Sequence, residues 1–181
     1  AFIWRLAQAL AQRDHAVTVL APADRGDVGE PTLGAVRVRR LRYAEPERET
    51  LAYKGTMHVA AGRPAAAFTF LGLVRAFVSA VEEECSRGAA DVVHAHWWVP
   101  GGVAAFAARR GPRPLVVTLH GTDVALARRV PGARFVFGAL LRRTAATTAV
   151  SRALADAAAS ASGLAVADIP VMPMPLVLRS S

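Results

Sequence analysis

The stretch DVVHAHWWVPGG, residues 91–102, decides how this chain is read. It holds two of the five histidines, two of the three tryptophans and a Gly-Gly pair. Two readings compete for it. His94 and His96 could be metal ligands, or they could close a buried strand whose tip lines a substrate cleft. The sequence on either side bears on the choice.

Working outward, the hydrophobic spacing alternates between two periods. Phe2, Leu6, Ala9, Leu10 and Arg13 follow helical spacing, so 1–13 reads as a helix. HAVTVLAP (15–22) is a short β-branched apolar run, the pattern of a parallel strand covered on both faces. After the polar loop 24–31, VRVRRLRY (36–43) alternates apolar residues with arginine and reads as a half-exposed strand near a sheet edge. A loop with Pro46, Gly55 and Gly62 leads into a helix over 64–85. Then follow strand 91–96, helix 100–110, strand 114–120, helix 132–144, strand 147–151 and helix 151–160. The run DIPVMPMPLV near the end is extended and stiffened by proline. Strands separated by helices predict an α/β fold, a Rossmann-like doubly wound parallel sheet in one domain over 1–181.

Composition narrows the function classes. With 53% apolar and 20% charged residues, the 181-residue chain has the makings of a packed core. One cysteine, Cys85, excludes a disulfide framework and a thiolate metal site, and fits a reducing compartment. Arg75 interrupts the best apolar run, 65–81. The net charge of +8 invites a nucleic-acid reading. Against it, Lys54 is the only lysine, the arginines are scattered, and few aromatics interleave with them. An anionic membrane surface or a phosphorylated substrate suits this charge better.

Ligands of open parallel sheets bind beyond the carboxyl ends of the strands. Those ends carry Ala21-Pro22, His96-Trp97-Trp98, His120-Gly121-Thr122-Asp123 and Ser151-Arg152. Polar and aromatic groups thus gather where this topology puts a cleft.

Taken together, ALAQRDHAVTVLAP, LAYKGTM, DVVHAHWWVPGG, PLVVTLHGTDV, TAVSRALAD and VMPMP resemble the amino-terminal, acceptor-side domain of a GT-B glycosyltransferase of family 4. The likeness runs over essentially the whole chain, with the motifs in the family's order. It implies transfer of a sugar from a nucleotide-sugar donor to a small-molecule, lipid or glycan acceptor, with retention and with no cofactor. By the resemblance, His120 contacts the transferred sugar and is the catalytic candidate. His96 and Trp97 line the substrate site, while Gly121 and Thr122 bring backbone close to it. Arg134 and Lys54 are the candidates for gripping an acceptor phosphate. The resemblance also implies a cytoplasmic enzyme, peripheral at the inner face of the membrane. A glycine loop and first strand would precede Ala1, and a donor domain would follow Ser181. On that expectation the chain alone is an inactive, aggregation-prone piece, with a slot between strands 15–22 and 91–96.

Plainer roles stand beside these. His94 reads as a histidine hydrogen-bonded inside the core or at its edge, and Trp98 as a lid on the hydrophobic core. Pro100 with Gly101-Gly102 reads as a helix start. Asp123 reads as a cap of the next short helix and Ser151 as the N-cap of the last one. No GxGxxG follows a strand, so a nicotinamide or flavin site is not expected. The rival from another class is zinc on His94, His96 and His120. It is disfavoured because His94 lies a pleat below His96 on a strand, and no metal is expected. A GT-B nucleotide-sugar epimerase and a non-catalytic sugar-binding domain share the fold and the cleft.

Overall fold

A computed structural model describes residues 2–25, 27, 32–51, 64–88, 90–108 and 113–174. Helix α1 (Phe2–Ala11) leads to β1 (Val17–Pro22), the two-residue β2 (Thr32–Leu33) and β3 (Val36–Leu41). The long helix α2 (Pro64–Ser86) precedes β4 (Val93–His96). A kinked π turn at Trp98–Gly102, closed by the Gly102 N–H donating to the Trp97 carbonyl and with Val99 extended inside it, opens into the short α3 (Val103–Ala107). Then come β5 (Leu115–Leu119), α4 (Thr122–Arg129), α5 (Ala133–Leu141), β6 (Ala146–Ala149) and α6 (Arg152–Ser162).

The strands form two sheets. In one the order is β1-β3-β2, with β1 and β3 parallel and the short β2 antiparallel to β3. In the other, β4-β5-β6 run parallel throughout. The expected parallel α/β architecture is present, and the interruption falls between β1 and β4. Among the described strands, β1 pairs only with β3 and β4 only with β5. Two elements span the division. Helix α2 packs on β1 and β3 and also on α3 and the π turn. Helix α1 packs on β1 and β3 and sends Phe2 to the tips of the second sheet.

Two strand readings need correction. Strand β1 was expected to be covered on both faces, yet its residues are half-buried and Thr18 is exposed, because one edge meets no described strand. Strand β3 was expected near an edge, yet it is the middle strand of its sheet. Its arginines are tolerated there because α2 neutralises them: Arg37 bonds Glu84, and Arg39 bonds both Glu83 and Glu84. Val36 and Val38 bury the opposite face.

The larger core lies around the second sheet. Val117, Leu119 and Ala149 from its strands meet Phe137, Leu140 and Ala155 from α5 and α6, all almost fully enclosed. Burying each large side chain of this kind contributes roughly 1.5–3 kcal/mol. One expectation holds here. Ser151 caps α6, its Oγ accepting from the Leu154 N–H at 3.3 Å. Of the proline-rich run expected to be extended, Asp168 instead ends a 3-10 turn, Val171 bridges in parallel to Ala149, and the residues after Met174 lie outside the described residues. Pro100, expected as the first residue of a helix, lies within the π turn instead, and α3 starts only at Val103. The chain must first pass closely under α5, where a Cβ on Gly102 would come 3.2 Å from Leu140 Cδ2.

Candidate active site

The second sheet brings its strand tips together because β4 and β5 are in register, His96 opposite Thr118. The next residues on each strand therefore project side by side at the carboxyl edge. His96 Nδ1 lies 3.0 Å from His120 Nε2. The Trp97 ring covers His120 with centroids 4.6 Å apart. From the other sheet's side, Phe2 lies 4.8 Å from His120 and 5.9 Å from His96, ring to ring. Three of the sequence candidates, His96, Trp97 and His120, thus form one contiguous group.

The backbone at this edge is under constraint. Trp97 adopts φ +67, a left-handed conformation uncommon for a bulky residue, while its N–H donates to the Thr118 carbonyl at 3.0 Å. Gly121 sits at φ +117 with open space where a Cβ would be. Its conformation, rather than crowding, calls for glycine there. Thr122 follows as the exposed first residue of α4.

Asp123 carries more than the capping role expected of it. It is 3% exposed, and its Oδ1 accepts from the backbone N–H groups of His120 (3.1 Å) and Gly121 (2.9 Å). Its side chain reaches back to the strand tip, as the third-position acid of a capping box does, so the turn bearing His120 is clasped to α4. Trp98 locks the same residue from beneath, its Nε1–H donating to the Asp123 carbonyl at 2.7 Å. Trp98 is 3% exposed against Phe137, as its core reading required. The spacing H-G-T-D was the only sequence signal for this clasp.

His94 has the hydrogen-bonded role expected of it, at the edge of the core rather than inside it. Its Nε2 bonds Thr118 Oγ1 at 2.8 Å, and Thr118 continues to Thr148 Oγ1 at 2.8 Å, a polar chain across three strands. The His94 ring stacks on His96 at 4.6 Å.

These surroundings keep the imidazoles neutral. Burial lowers the His96 pKa from 6.5 to about 3, helped by the nearby His94 and His120. Burial also lowers His120, with the Asp123 carboxylate pulling in the other direction. Partial burial lowers His94. Neutral imidazoles each offer one donor and one acceptor, which suits hydroxyl recognition.

Among the described residues, no three His, Cys, Asp or Glu side chains are grouped to hold a metal. The geometry shows why: His94 Nε2 is committed to Thr118, and the facing nitrogens of His96 and His120 are at hydrogen-bond distance. Arg134 is exposed on the first turn of α5 with its guanidinium 5.9 Å from the Phe135 ring centre. Lys54 lies outside the described residues.

The profile of Glycosyltransferase Family 4 matches residues 1–176. The chain belongs to this family. Comparison with curated proteins finds no match. For a family 4 glycosyltransferase domain, the meeting of His96, Trp97 and His120 at adjacent strand tips falls where a parallel α/β sheet binds its ligands. Among the described residues, no helix is long and apolar enough to cross a membrane.

Proposed function

We propose that this domain is the acceptor-side half of an enzyme that moves a glycosyl unit from a nucleotide-sugar to an acceptor, with retention at the anomeric carbon. The observation that carries the reading is the apposition of His96, His120 and Trp97 at the tips of β4 and β5. A neutral His120 imidazole bonds a hydroxyl of the transferred sugar, and the Trp97 ring offers a flat apolar wall to the acceptor. Gly121 and Thr122 bring the start of α4 to the same edge. Among the described residues, Asp123 is the carboxylate that meets this group, and one carboxylate does not make the acid–base pair of a glycosidase. The chemistry proposed is therefore positioning of donor and acceptor, with the departing nucleoside diphosphate stabilised elsewhere. The nucleotide-sugar is a substrate, and no further cofactor is called for.

We also place the enzyme in the cytoplasm, in peripheral contact with the membrane's inner face. The support is the run 128–136, which is exposed apart from Ala133 and contains Arg128, Arg129 and Arg134 but no acid. Phe135 is 74% exposed within it. A basic segment with exposed apolar side chains suits an anionic lipid surface or an acceptor bearing a phosphate.

The protein as its gene encodes it should be offered a panel of nucleotide-sugars and acceptors, with nucleoside diphosphate release and product anomeric configuration followed by NMR. Acceptor-dependent release with retained configuration is expected. Epimerised nucleotide-sugar without acceptor would favour the epimerase reading, and binding without release would favour a sugar-binding module.

A further inference from the structure

We propose that Asp123 is a positioning residue for His120: its second carboxylate oxygen accepts a hydrogen bond from the His120 Nδ1–H, which keeps the proton on Nδ1 and leaves Nε2 as the acceptor for a sugar hydroxyl. The proposal rests on the transfer reading for the identity of that hydroxyl, and on the local geometry for the rest.

Asp123 Oδ1 is fully engaged, since it accepts from two backbone N–H groups. Two polar side-chain atoms of this turn remain: Asp123 Oδ2 and His120 Nδ1, both buried and both without a hydrogen-bond partner. Buried polar atoms are rarely left that way, and an ionised oxygen least of all. They belong to residues three apart in one tight turn, already joined by a hydrogen bond from backbone to carboxylate.

The proton count selects the tautomer. A single proton lies between His96 Nδ1 and His120 Nε2. If His120 supplied it, His120 Nδ1 would be bare, and the turn would hold two buried acceptors with no proton for either. If His96 supplies it, His120 carries its proton on Nδ1, and Oδ2, the other buried side-chain atom without a partner in this turn among the described residues, is the acceptor proposed for it. Arriving sugar takes the place of His96 at Nε2, donating a hydroxyl proton to the same lone pair. Phe2 and Trp97, which also meet each other edge-on, hold the ring during the exchange. The charged group near the imidazole that acts to raise its basicity is Asp123, as an orienting carboxylate would.

The test is NMR of the histidine side-chain nitrogens in the wild type and in Asp123→Asn. Asparagine keeps an oxygen for the two backbone N–H groups but replaces Oδ2 with a donor that cannot accept a hydrogen bond from Nδ1–H. The wild type should show His120 protonated on Nδ1, and the variant should show the proton moved to Nε2. Turnover should fall tenfold or more with little change in KM, since general positioning of this kind acts on the reacting state. An unchanged His120 tautomer in the variant would reduce Asp123 to a backbone clasp and overturn the proposal. Should the variant not fold, a wild-type His120 protonated on Nε2 overturns it unaided. The NMR arm needs no sugar donor. Absence of turnover with a confirmed Nδ1 proton would therefore count against the transfer reading and leave the assignment standing.

Discussion

Acidification should unfold this domain through His96 before its carboxylates begin to titrate. The imidazole has a pKa of 6.5 in the unfolded chain and about 3 in the fold, because burial beside His94 and His120 penalises its charged form. Below pH 6.5 the unfolded chain therefore binds a proton that the folded one refuses. Stability from this group is complete above about pH 6.5 and drains away as pH falls toward 3. At about 1.4 kcal/mol per pH unit, the loss between pH 7 and pH 5 is about 2 kcal/mol from His96. His94 and His120, lowered in the same direction, steepen the fall. Two kcal/mol is a large part of a typical stability of roughly 5–15 kcal/mol, and corresponds to a drop of about 4–8 °C in Tm for a domain of this size. Urea unfolding at pH 7, 6 and 5 measures it. His96→Asn, which keeps a polar atom near the Nδ1 position but does not titrate, should remove about 2 kcal/mol of the pH dependence. A wild type equally stable at pH 7 and 5, or an unchanged slope in the variant, would refute the reasoning.

Two further outcomes are expected. Helix α2 passes so close to the segment after β3 that a Cβ on Gly72 would lie 2.4 Å from the Tyr43 carbonyl oxygen. Gly72→Ala should lose about 2 kcal/mol by thermal melting, although alanine is the better helix former by about 1 kcal/mol, because backbone cannot yield as a side chain does. The exposed basic run should bind vesicles containing phosphatidylglycerol. Replacing Arg128, Arg129 and Arg134 with glutamine should weaken sedimentation with them by about 3 kcal/mol, at about 1 kcal/mol per arginine. Equal binding to neutral phosphatidylcholine vesicles would remove the electrostatic account.

The parallel strands were legible because β5 is a short apolar run and β6 a short run of alanine and β-branched threonine between helical periods, and tertiary packing agrees with that local pattern. The β3 alternation was equally visible but misled, since its arginines face Glu83 and Glu84 on a helix forty-odd residues away, a pairing no local window contains. At the site, His96, Trp97 and His120 could be placed at strand tips from spacing, and β4–β5 register then made them neighbours. The π turn at Trp98–Gly102 was hidden, because proline and paired glycines look the same before an ordinary helix. Asp123 was read forward, as a cap for α4. Its backward reach to His120 and Gly121 follows from the positive φ at Gly121, which sequence does not display.

The central claim is that His120 touches the sugar being transferred. Its most direct test is the rate of nucleoside diphosphate release by His120→Ala, measured with donor and acceptor both present and with the fold checked by circular dichroism. Loss of tenfold or more in turnover with an unchanged spectrum is the predicted result. Full activity in a folded His120→Ala protein would contradict the account and remove this histidine from the site.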